Sequence, residues 1–64
     1  MIKEIENKVN DLLTQVMPNE ILKYFLELSL RDKLIQIFGF AYKSDDVKMM
    51  EFAQKAINYI EAHN

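Results

Sequence analysis

A chain of 64 residues holds one domain and no more, and with half its residues hydrophobic and 28% charged it is too apolar to stay disordered. The absence of Cys excludes disulfides and thiolate metal sites, the single His63 cannot build an imidazole-rich metal site, and one Gly and one Pro are too little turn material for a many-stranded β fold. The formal charge of −2, ten acids against eight bases dispersed along the chain, provides no basic stripe for nucleic-acid phosphates.

Residues 2–16 read as an amphipathic helix. Ile2, Ile5, Val9, Leu12 and Val16 follow steps of three and four, with Leu13 alongside, and fill an arc of about 100°, one core-facing stripe. Glu4 and Lys8 stand in the favourable order for a pair on the exposed side. Pro18 ends this helix, because it disfavours α geometry at Met17 and suits the first turn of the next.

A second helix over 18–28 carries Ile21, Leu22, Tyr24, Phe25, Leu26 and Leu28. Its apolar arc of about 200° leaves only one side for water. If the helix ran on through Ser29, the apolar arcs of 21–28 and 30–42 would face nearly opposite ways, and no single core could take both. A break near Ser29 resolves the conflict, and Ser29-Leu30-Arg31-Asp32 matches an N-terminal capping pattern.

The third helix, over 30–42, has Leu30, Leu34, Ile35, Ile37, Phe38, Phe40, Ala41 and Tyr42 over about 220° of its circumference, the pattern of a central helix or of one with a face kept for a partner. Gly39 inside it either permits close helix approach or marks a frayed end. Ser44-Asp45-Asp46 then signals a last helix over 45–62, with Ser44 read as the cap and two acids against the positive end of the helix dipole. Two adjacent stripes, 50-53-57-60 and 49-52-56-59, predict contact with two neighbouring helices. The expected fold is all-α: a compact bundle of four short helices forming a single domain, 1–64.

Chemistry has few candidates. His63 stands at a chain end and reads as a solvated tail residue rather than as the base of a Ser-His-acid arrangement. Asp45 and Asp46 lack the spacing of a Ca²⁺ loop, and helix capping accounts for them. The lone Gly39 cannot make a phosphate-binding loop. Lys43, Lys48 and Lys55 flank or lie on the last helix, but Glu51 shares their face, and a solvated mixed surface is the plainer reading. Met49 and Met50 read as gap-fillers between helices before they read as an adaptable binding surface. The polar faces are mixed or acidic, unlike the Lys- and Arg-rich face of a membrane-surface helix.

Between Ile21 and Tyr42, 14 of 22 residues are apolar, and five of the seven aromatic residues lie there. A domain this small buries only about 60% of the surface its unfolded chain exposes. Chains below about 70–80 residues usually add a staple to their core, and with disulfides and metals excluded the remaining devices are oligomerisation or dense packing. The expectation is a non-catalytic interaction protein without cofactor, a small regulator, inhibitor or adaptor that binds itself as a homodimer or binds another protein. Tyr24, Leu28, Ile35, Phe38, Phe40 and Tyr42 are its candidate anchors, because aromatic side chains concentrate at interface hot spots. On a helix Phe38 and Tyr42 share a face while Phe40 points away, so no one core face takes all three rings. A small dimeric DNA-binding regulator is the alternative. The start, Met1-Ile2-Lys3-Glu4-Ile5-Glu6, is too polar for a signal peptide, and no stretch reaches the roughly 18 apolar residues of a membrane span, so a cytoplasmic location is the default.

Overall fold

Four helices follow one another in the computed structural model, which describes residues 2–63: α1 (Ile2–Val16), α2 (Asn19–Leu26), α3 (Leu30–Ser44) and α4 (Val47–Ala62). The all-α bundle expected from periodicity is the fold observed. Helix ends are set by local chemistry. Pro18, extended at φ −61° and ψ 147°, stands before α2 and accepts the N–H groups of Ile21 and Leu22 on its carbonyl. Ser29 is extended too, and its Oγ accepts the Asp32 N–H at 3.2 Å, so the break between α2 and α3 lies where opposed apolar arcs require it.

Three helices differ in their bounds from the sequence expectation, the last of them starting at Val47 rather than 45. The second helix is shorter, Asn19–Leu26 rather than 18–28, and leaves Leu28 in the connection. The third passes through Gly39 and reaches Ser44, so it neither frays there nor ends at Tyr42. Gly39 serves no close approach inside the chain either, since a Cβ built on it would meet nothing within 4 Å. Ser44 is therefore helical and caps nothing downstream. Asp45 turns left-handed at φ 59° and donates its N–H to the Tyr42 carbonyl, while the Asp46 N–H bonds the Ala41 carbonyl at 2.9 Å. This pair of bonds closes a helix through a left-handed residue. Asp46 then starts α4, its Oδ1 accepting the Met49 N–H at 3.1 Å.

The two-residue turn and an ion pair fix α3 and α4 as antiparallel neighbours. Arg31 at the start of α3 reaches Glu61 at the end of α4, Nη2 to Oε2 at 3.3 Å. On α3, Lys33 lies nearly opposite Arg31 around the helix, and its Nζ donates to Asn10 Oδ1 of α1 at 3.0 Å. So α1 lies along one flank of α3 and α4 along the other. The core fills the space between: Val9 and Leu13 from α1, Leu34 and Ile37 from α3, and Ala53 and Ala56 from α4. The small Ala side chains let α4 approach closely. Its second stripe turns to α1, where Phe52 lies beneath the Lys8 ammonium and Tyr59 lines a shallow recess with Ile5.

Helix α2 has no fully buried residue. Leu22 and Phe25 rest against the core, while Ile21, Tyr24 and Leu26 stay exposed. The second helix is thus wetted more widely than its apolar arc suggested. Eight residues give it about two turns, too short to be enclosed on two sides.

Candidate interaction surface

Three of the six candidate anchors come together on α3. Arg31, Ile35, Phe38 and Tyr42 follow steps of four, three and four, which places them in one row along the helix. Arg31 marks where that row faces, because its guanidinium bridges to Glu61 on the side away from α1. Ile35 is 42% exposed and Tyr42 72% exposed, while Phe38 is half-buried against the core.

Helix α4 extends the surface. Ile57 and Met50 lie on the Glu61 side of α4 at steps of four and seven, and both are half-buried. The register set by the Arg31–Glu61 pair carries Ile35 level with Ile57 and Tyr42 level with Met50. The same row on α4 holds Gln54, exposed, bonded to Asn58 and level with Phe38. The outer face of the α3–α4 hairpin is therefore apolar at Ile35 and Ile57 and at Tyr42 and Met50, crossed by one amide between them, and charged at its ends, with Arg31 and Glu61 at one and Asp45 and Asp46 at the other.

The remaining three candidates are elsewhere. Phe40, 37% exposed, points to the α1 flank and lines a recess of about 210 Å³ with Met17, Gln36, Gly39 and Lys43. Tyr24, 61% exposed, stands on α2 with the Lys23 ammonium 5.2 Å from its ring centre. Leu28 is half-buried in the α2–α3 connection. Met50 and Ile57 are not among the six candidate anchors: in the sequence Met50 reads as a gap-filler before a binding residue, and Ile57 has only a place in a core-facing stripe. Their signal was present in the 50-53-57-60 stripe, whose outer edge they form.

The polar groups with chemical potential are accounted for by structure. His63 is exposed, its ring stacks on Tyr59 at 4.1 Å, and its Nδ1 lies 2.8 Å from the Tyr59 carbonyl, so it closes the end of α4. Asp46 is occupied as a cap. Among the described residues, no three His, Cys, Asp or Glu side chains gather where they could hold a metal ion, and no helix is long and apolar enough to cross a membrane. No known protein family matches the sequence, and neither a curated protein nor a solved structure is detectably similar to it.

Proposed function

We propose that this chain is a non-catalytic protein–protein interaction module, a small regulator, inhibitor or adaptor, that offers the outer face of the α3–α4 hairpin to another polypeptide. The observation that carries this reading is the apolar row left in water there: Ile35 and Tyr42 beside the half-buried Phe38, Met50 and Ile57. Apolar surface of this kind on a small protein marks a site of association, because covering it releases water from both partners. Tyr42 suits the role of anchor, a large rigid ring with a polar tip. A homodimer is the simplest form of the interaction, since a chain without disulfides gains stability by burying this face against its own kind.

The test is a comparison of the native chain with the double variant Ile35→Asp, Tyr42→Asp. Both positions are exposed, so helicity and melting should survive the change. Sedimentation from low to high micromolar concentration, with affinity capture from the source cell, should show association by the native chain and none by the variant. Identical behaviour of the two proteins would remove this face from the proposal. A salt-sensitive mobility shift of the native chain with duplex DNA would turn the reading towards the DNA-binding regulator.

A further inference from the structure

We infer that α2 is a strap that lifts off the molecule as a unit while α1, α3 and α4 stay folded, and that lifting it bares apolar surface the closed chain covers. The first ground is how lightly α2 is held. Six of its eight residues are exposed and none is buried, and only Leu22 and Phe25 rest against the core. Among the described residues, no side chain of α2 makes a hydrogen bond or ion pair with another helix. Its one charged contact stays inside the helix, the Lys23 ammonium over the Tyr24 ring. Pro18 offers the free N–H groups of its first turn no side-chain cap. A helix of this length does not persist in water on its own hydrogen bonds, so two half-buried side chains are what keep it in place.

The second ground is that the other three helices close without it. The buried core of Val9, Leu13, Leu34, Ile37, Ala53 and Ala56 takes nothing from α2. Lys33 to Asn10 ties α3 to α1, and Arg31 to Glu61 ties α3 to α4. The neighbouring helix ends are finished by their own residues. The Met17 N–H bonds the Leu13 carbonyl at 2.9 Å, and Ser29 takes the Asp32 N–H on its Oγ and the Lys33 N–H on its carbonyl. Pro18 has no N–H to lose at the hinge. Lifting therefore wets little more than Leu22, Phe25 and the edge of the core beneath them. In the lifted form these two join Ile21, Tyr24 and Leu26, already exposed, in one accessible apolar segment. The α3–α4 face is displayed at all times, whereas this second surface is shown only as often as the strap opens.

Native-state hydrogen exchange, followed amide by amide at low denaturant concentrations, tests the strap on the unaltered chain. The amides of Lys23, Tyr24, Phe25 and Leu26 are expected to be protected about tenfold less, or lower still, than those of Ile37 and Ala53. They should share one level and one weak denaturant dependence, because opening α2 exposes little surface, while Ile37 and Ala53 wait for global unfolding. Protection that falls off residue by residue towards one end of α2 would indicate fraying and overturn the lift. Equal protection and denaturant dependence in α2 and at Ile37 would overturn it as well. A second measurement removes the two holds together, in the variant Leu22→Ser, Phe25→Ser. Residues 19–26 should then lose their helical chemical shifts, while Ile37 and Ala53 stay protected and melting stays cooperative. Unfolding of the whole variant would make α2 an integral part of the fold, and a helix that survives at 19–26 would place its hold elsewhere; either overturns the strap. Neither outcome touches the α3–α4 face, whose residues are unaltered.

Discussion

Lys33 is 6% exposed, and its ammonium has one acceptor, the amide oxygen of Asn10. Among the described residues no carboxylate pairs with it. A buried cation held by a neutral amide is an expensive way to join two helices. Its return is direction, because only one register of α1 on α3 brings the two groups together. Asn10→Ala strips the ammonium of its acceptor and is expected to cost about 1–3 kcal/mol. Lys33→Met keeps the packing of the stem and removes the charge, and should stay within about 1 kcal/mol of the native chain. In the double variant the Asn10 penalty should largely vanish, since no charge is left to strand. Chemical denaturation of the four proteins checks this, and strictly additive losses would show that the bond contributes nothing of its own.

At the scale of elements, two residues join α3 to α4 and do two different jobs. Asp45 accepts left-handed geometry to end one helix, and Asp46 holds a backbone N–H to begin the next. Asp46→Ala is expected to cost about 1 kcal/mol through the lost cap, and Asp45→Val about 1–2 kcal/mol through steric strain at positive φ, both read from thermal melting. This turn also shows where sequence reading runs out. Ser44, Asp45 and Asp46 are all good capping residues, so composition cannot choose among three registers. The choice falls to Asp46 because Tyr42 and Ser44 stay in a helix that Ala41 anchors in the core. Ser29 posed no such ambiguity, standing alone between two opposed apolar arcs. For the surface, helical spacing already separated Phe40 from Phe38 and Tyr42. It could not reveal that α4 would lie beside the latter two and add Met50 and Ile57, because helix pairing is decided by tertiary contacts such as Arg31–Glu61.

The whole molecule is a slab, 33 × 25 × 15 Å between Cα atoms. Its thinnest dimension admits only two helix layers, so most apolar side chains meet the core with one edge and water with the other. Among the described residues, only Leu13, Leu34, Ile37 and Val9 of the larger side chains are wholly enclosed. The accessible surface of 4625 Å² exceeds the roughly 4,300 Å² usual for a monomer of this mass. Ile21, Tyr24, Leu26, Ile35, Phe40 and Tyr42, all from the apolar stretch between Ile21 and Tyr42, are among the large side chains left exposed. A chain so thinly covered should gain stability from company. Its melting temperature is therefore expected to rise over about a hundredfold increase in protein concentration, as association draws on the folded form alone. In the Ile35→Asp, Tyr42→Asp variant it should stay constant, and calorimetry across the same range would detect either trend.

The short junction at Asp45–Asp46 also bears on how the chain reaches this shape. Closing a two-residue link costs far less entropy than bringing α1 back across the intervening α2. The α3–α4 hairpin is thus the segment that can organise first, with α1 docking onto a surface already formed. In folding kinetics, Leu34→Ala at the hairpin interface should slow refolding, whereas Val9→Ala on α1 should chiefly hasten unfolding. During that interval the row from Ile35 to Tyr42 is in place before the core beneath it is complete. An encounter between two nascent hairpins could then precede the docking of α1, making assembly part of folding rather than its sequel.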